Sequence, residues 1–204
     1  MPPTHSDDAR RSAPAADRNK EPILDVLRRA LPATGLVCEV ASGTGQHVVH
    51  FAAGLPRLTW QPTEPDASLR ASIAGWIAHT GLANVRPPLR LDVGADWPVA
   101  RADAVLCINM IHIAPWAATL HLLHGASRLL EPGGVLFLYG PYRRFGAHTA
   151  PSNAAFDADL RASNPEWGVR DMETVVEIAG QNGFALAEVV AMPANNFSLV
   201  LRRV

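Results

Sequence analysis

The apolar positions of the chain alternate between two spacings. In "EPILDVLRRALP", Ile23, Leu24, Leu27 and Leu31 fall three and four residues apart, with Pro22 in the opening turn and Pro32 just past the end. That pattern predicts a helix from about Asp17. "LVCEVA" at 36–41 is instead a short unbroken apolar run, as expected for a strand buried on both faces. Further strands are predicted at 58–64, 85–93, 102–109 and 134–140, the third weakened by Pro87 and Pro88. Helices are predicted between them at about 46–53, 67–81 and 116–134, and a later one at 172–183. Gly81 and Gly183 serve as helix stops. Two last strands, 184–192 and 196–204, are joined by a turn short enough for a hairpin. Strand and helix in alternation predict an α/β fold: a mostly parallel sheet covered by helices on both faces, with the closing hairpin adding an antiparallel strand.

The same pattern divides the chain. Residues 1–16 are rich in Pro, Ser, Ala and charge and read as a flexible N-terminal tail. Residues 17–204 read as one domain, a length that suits a single core. Between the fifth strand and the next helix, about 141–171, lies "PYRRFGAHTAPSNAAFDADLRASNPEWGVRD". This exceeds an ordinary loop and reads as a substrate lid.

Charge and cysteine content narrow the classes. Lys+Arg is 18 and Asp+Glu is 19, a formal net charge of −1, so the basic footprint of a nucleic-acid binder is missing. Cys38 and Cys107 sit inside apolar runs, which suits a reduced, cytoplasmic setting better than a disulfide framework. The N-terminus lacks the apolar region of a signal peptide, and no run reaches the ~18–20 apolar residues of a membrane span. His121 and His124 lie three apart without a third ligand, so no metal is expected.

The candidate chemistry begins at "VCEVASGTGQH", residues 37–47. Gly43 and Gly45 follow the first strand, where open α/β sheets bind ligands. The loop lacks the lysine and the spacing of an NTPase phosphate loop. Val48 stands where the dinucleotide fingerprint needs a small residue, which weakens NAD without removing it. Glu39, four residues ahead of Gly43, would repel a pyrophosphate and suit a cation. Glu64 ends the second strand at the place where an acid takes ribose hydroxyls. Asp92 and Val93 end the third strand, and Asn109 the fourth, all facing the same crevice. The order E-x-A-x-G-x-G is close to the E/D-x-G-x-G-x-G of class I S-adenosylmethionine (SAM) methyltransferases, with Ala41 at the first glycine.

Taken with "RNKEPIL", "LTWQPTEPD", "CINMIHIAPW", "LLEPGGVLFLYGPYR" and "MPANNFSLVLR", the chain resembles the bacterial and eukaryotic family of small SAM-dependent methyltransferase-like proteins long known as a domain of unknown function. The resemblance covers nearly everything from Asp17 onward. It implies a Rossmann-like class I methyltransferase fold, a seven-stranded sheet of order 3-2-1-4-5-7-6. It implies SAM as cofactor and S-adenosylhomocysteine (SAH) as product. It names no acceptor.

Methyl transfer asks the protein to align a nucleophile and accommodate its proton. His112, Tyr139 and Tyr142 are the candidate catalytic groups, His112 because its ordinary pKa near 6.5 suits a base. Capping of the following helix is an equally available role for it. Arg18 and Asn19 precede the first helix and are expected to close over the cofactor. Trp116, Arg143, Asn153 and Trp167 are expected to line the acceptor site, with Phe156 and Arg170 in the same lid. The short, neutral lid favours a small-molecule acceptor. Two other readings share these residues: a SAM-dependent reaction without methyl transfer, such as cyclisation, and a non-catalytic SAM-binding protein. Nothing in the sequence sets the oligomeric state.

Overall fold

The computed structural model describes residues 9–204. In chain order the elements are α1 (Pro14–Ala30), β1 (Gly35–Val40), α2 (Gln46–Gly54), β2 (Leu58–Thr63), α3 (Ala67–Thr80) and β3 (Ala102–Ile108). They continue with a 3₁₀ turn at Met110–His112, then α4 (Trp116–Leu129), β4 (Leu130–Pro141), β5 (Arg143–Arg144), β6 (Ala147–His148) and α5 (Pro151–Ser163). The chain ends with α6 (Met172–Gln181), β7 (Phe184–Met192), a 3₁₀ turn at Pro193–Asn195 and β8 (Asn196–Arg203).

Six strands form the main sheet in the order β2-β1-β3-β4-β8-β7. The first four are mutually parallel, and β8 runs antiparallel to both β4 and β7. This is the expected order with one strand reduced. Val85 and Leu89 make isolated parallel bridges to Trp60 and Thr63 on the outer side of β2. Arg86 N–H donates to the Trp60 carbonyl and Leu89 N–H to the Pro62 carbonyl. Between them Pro87 and Pro88 have no N–H to give, so the ladder cannot run through. The predicted third strand at 85–93 is therefore a bridged edge segment, not a strand.

Two apolar layers hold the sheet. One face packs on α1, α2 and α3 through Ile23, Leu27, Phe51, Trp60 and Ile73, all without exposed surface. The other packs on α4 and α6 through Leu122, Leu123, Val175 and Ala179. The central strands bury both faces, which explains their unbroken apolar runs. Asp66 and Asp171 cap α3 and α6 by accepting from Leu69 N–H and Thr174 N–H.

The N-terminal segment differs from expectation. Of the predicted flexible tail, residues 1–8 lie outside the described residues. The remainder is held in place. Arg11 N–H donates to Ser72 Oγ at 2.8 Å, Trp76 Nε1–H donates to the Arg11 carbonyl, and Arg10 sits 5.1 Å over the Trp76 ring. The helix begins at Pro14 rather than Asp17, with proline in the first turn where its missing N–H costs nothing. Among the described residues, no helix is long and apolar enough to cross a membrane.

Candidate functional site

The carboxyl ends of β1, β2 and β3 lie side by side in the sheet, and the loop after β1 is shaped by three left-handed residues. Ala41, Gly43 and Gly45 have φ of 56°, 56° and 92°. Alanine in this region costs about 1 kcal/mol, a strain of the kind that clusters at functional sites. The two glycines serve different ends. A Cβ on Gly45 would lie 2.8 Å from Ile73 Cα, so this glycine lets α3 pack closely. A Cβ on Gly43 would meet no described atom within 4 Å, so this glycine faces open space. The expectation treated the pair alike; the geometry separates packing from access.

Two carboxylates stand beneath this loop. Glu39 is 2% exposed, and its Oε2 finds no hydrogen-bond partner among the described residues. Burial raises its pKa to about 7, a hydrogen bond from Ser42 works against that, and the charge of Glu64 adds to it. Glu64 is also buried but engaged: one oxygen accepts from Gly43 N–H at 3.0 Å and the other from Asp66 N–H at 3.2 Å. Glu64 thus ties the end of β2 to the glycine loop.

Helix α1 crosses this edge and supplies polar groups. His47 Nε2 lies 2.7 Å from Asn19 Oδ1. Burial, and then the neighbouring His50 and Lys20, lower the His47 pKa to about 4, so the neutral ring donates to Asn19. Gln46 bridges the segments, accepting from Ala13 N–H and Thr44 and donating to Asp17. Asn19 and the charge of Arg18 also lie near the hydroxyl of Tyr139 and act to lower its pKa. Burial is the largest influence on Tyr139 and raises its pKa, so it is a protonated phenol. The structure therefore brings Arg18, Asn19 and Tyr139 together. His47 and Gln46, at the start of α2, join this polar cluster although no sequence motif marks them.

The ends of β3 and β4 carry the groups expected to be catalytic, and two of them are enclosed. Asn109 adopts φ 63° and its N–H donates to the Tyr139 carbonyl at 2.8 Å, joining the strand ends. His112 has no exposed surface. Its Nδ1 accepts from Arg170 N–H at 3.2 Å, and its ring meets Tyr142 edge-on at 4.9 Å. A Cβ on Gly140 would overlap His112 Nε2. Tyr142 is likewise fully buried, and neither His112 Nε2 nor Tyr142 Oη has a partner among the described residues. Burial, then the charge of Arg170, brings the His112 pKa to about 3. His112 and Tyr142, the expected catalytic groups, are both enclosed between the sheet and the 141–171 insertion. Local sequence could not show this, because the enclosing atoms come from Gly140 and residues 168–170.

The lid is anchored here. Arg170 donates to the carbonyls of Ile111 (2.9 Å), Ala114 (2.6 Å) and Glu166 (2.8 Å), and lies 5.6 Å over the Trp116 ring. Asp157, buried, accepts from Val169 N–H at 2.7 Å and from Arg161, with His148 Nε2 at 3.4 Å. Asn153 is buried and donates to Thr149 and to the Asn195 carbonyl, tying α5 to the last turn. Asn153 therefore ties the 141–171 insertion to the turn before β8. Trp167 and Arg143 remain half-buried at the lid's edge. Asp92 is exposed, its Oδ1 accepting from Gly94 N–H, and Val93 borders a groove of about 900 Å³ between the 93–100 loop and α4.

The fold has known counterparts. An O-methyltransferase family protein from Burkholderia thailandensis superposes with TM-score 0.80 at 18% identity over 93% of this chain and 57% of its own. The SAM-dependent methyltransferase SibL superposes with TM-score 0.77 at 21% identity over 93% and 55%. Human N-acetylserotonin methyltransferase in complex with SAM superposes with TM-score 0.76 at 14% identity over 93% and 52%. The chain thus has the class I methyltransferase fold and spans little more than half the length of these proteins. The family described as protein of unknown function DUF938 matches residues 10–203, and the chain belongs to it.

Proposed function

We propose that the chain is a SAM-dependent methyltransferase acting on a small-molecule acceptor. The carrying observation is Glu39: a buried carboxylate with one oxygen unpartnered among the described residues, under a glycine loop that opens at Gly43. Such a group is costly in the free protein and is relieved by a cation. SAM carries a cationic amino group and no phosphate, and its complex with the human structural counterpart supports the same choice. When bound, SAM presents a methyl carbon on positive sulfur, so the acceptor's lone pair forms the new bond, the C–S pair stays on sulfur to give SAH, and the acceptor's proton leaves.

In this reading Glu39 holds the amino group, and Gly43 and Ala41 give the backbone approach. Glu64 has acceptor capacity left for ribose hydroxyls beyond its two N–H bonds. Gly45 keeps the loop tight against α3, Asp92 and Val93 flank the base, and Asn109 borders the transfer end. Arg18 and Asn19 cover the site from α1. Tyr139, kept protonated by burial near Asn19, orients by donating a hydrogen bond and does not serve as a base. Trp116 and Trp167 wall the acceptor side.

Calorimetric titration with SAM and SAH tests the reading. Binding of both is expected. No heat from either at millimolar ligand overturns it. Mass spectrometry of turnover products then separates methyl transfer, which adds one methyl, from cyclisation, which adds none.

A further inference from the structure

Arg143 is a half-buried arginine that the protein leaves unused. Every other half-buried arginine among the described residues has a hydrogen-bond acceptor or an aromatic face. Arg144 binds Glu173 at 2.8 Å, Arg170 binds three carbonyls, and Arg203 binds the Gly183 carbonyl at 2.8 Å. Arg143 has no side-chain acceptor among the described residues, and its Nε is buried without a partner. A charged group whose Nε–H is kept from both water and protein carries a desolvation cost at that atom that a ligand can remove.

The neighbouring carboxylates are already committed. Asp157 takes Arg161 and Val169 N–H. Asp171 accepts Gly146 N–H at 2.7 Å and caps α6 at Thr174 N–H. Glu173 takes Arg144 and Phe145 N–H. What faces Arg143 instead is more positive charge. Burial first, and then Arg161, lower the Arg170 pKa, and Arg143 pushes the same way. The region is short of one anion.

The backbone fixes where that anion would sit. Arg143 N–H donates to the Arg170 carbonyl at 2.9 Å, and Arg143 pairs with His148 across the β5–β6 hairpin. The residue lies two positions beyond the end of β4. β4 is the strand whose Tyr139 carbonyl meets Asn109, at the transfer end of the crevice. A guanidinium fork matches the two oxygens of a carboxylate or phosphate. From the unpartnered Nε, the committed carboxylates and this placement, we propose that Arg143 anchors an oxyanion, a carboxylate or a phosphate, carried by the acceptor. The word "acceptor" rests on the methyltransferase reading; the oxyanion site does not.

The test uses the full chain with saturating SAH and two probes, acetate and inorganic phosphate. Nitrogen–proton spectra identify the Arg143 Nε–H as the resonance missing from Arg143→Met. That resonance is expected to shift saturably with one probe, and the probe that acts distinguishes carboxylate from phosphate. The Phe145 and Gly146 amides should report the same binding, weakened roughly ten- to a hundredfold in Arg143→Met and unchanged in Arg57→Met. No saturable shift with either probe, or equal amide responses in wild type and Arg143→Met, overturns the proposal. SAH titration of the same samples keeps the two readings apart. Lost SAH binding with an intact anion response removes only the methyltransferase reading, and the reverse removes only the oxyanion site.

Discussion

Glu39 in β1 and His112 in the 3₁₀ turn after the neighbouring β3 look alike on burial alone. Their exposures are 2% and 0%, and each has one side-chain atom without a partner among the described residues. Burial drives both toward the neutral form, Glu39 up to about 7 and His112 down to about 3. Their surroundings differ. The loop over Glu39 opens at Gly43, whereas His112 is closed by Gly140, Tyr142 and the Arg170 amide. An unpartnered buried group becomes a binding site where there is space for a ligand. Where there is none, it is a cost of packing.

The largest effect that tests this contrast is expected from Glu39→Gln. It should weaken SAH binding by about a hundredfold or more, the scale of removing one partner of a buried charge pair. Wild-type affinity should fall as pH drops below about 7, because Glu39 must lose its proton to meet the amino group. The variant should lack that slope. Ligand-free stability should show the opposite sense. The native carboxyl holds its proton up to about 7, against an ordinary value of 4.5, so stability falls as pH rises through that window. The accumulated loss is about 3 kcal/mol above it. Thermal melts at pH 8 should therefore place Glu39→Gln above wild type, and melts near pH 4 should bring the two together. Equal melting at both pH values would mean that Glu39 is not held protonated.

Two glycines sharpen the same comparison. Gly140→Ala drives a methyl into His112 Nε2 and Cδ2, whose ring is fixed by Tyr142 and Arg170. Overpacking of this kind costs about 1–3 kcal/mol, and the upper end is expected in denaturant melts. Gly43→Ala meets no described atom and adds only the left-handed penalty of about 1 kcal/mol. Its larger consequence should be on SAH affinity. Gly43→Ala with wild-type affinity would show that the loop does not open onto the ligand.

The loop after β1 and its neighbouring strand ends were legible from sequence because their signals are local. A strand, an acid and two glycines within seven residues fix the loop after β1, and Glu64 is placed by the end of the next strand. Alternation plus one hairpin pointed to a mostly parallel sheet with an antiparallel strand, and the strand order came from the family resemblance. The exception, 85–93, had its cause in plain view at Pro87 and Pro88. The transfer half is assembled from distant segments. His112 is enclosed by residues 28 to 58 positions later, so its type suggested a base while its neighbours make it a strut. Asn153 likewise reads as a polar lid residue until the Asn195 carbonyl, 42 positions away, accepts its amide.

The smallest effect addresses His112 itself. His112→Phe keeps an aromatic ring against Tyr142 but removes the acceptor for Arg170 N–H, at about 1–2 kcal/mol near neutrality. The pH dependence then separates packing from chemistry. A native imidazole that resists protonation down to about 3, against an ordinary 6.5, contributes stability that is complete above 6.5. That contribution drains away as pH falls through the window. By pH 5 wild type should have lost about 2 kcal/mol that the variant keeps, since 1.5 pH units correspond to roughly that amount. Glu39 titrates alike in both proteins and cancels from the difference. The gap between wild type and His112→Phe should therefore close between pH 7 and pH 5. A constant gap would mean that the ring accepts a proton in the folded protein, which requires water at Nε2 and would return His112 to the crevice as a base.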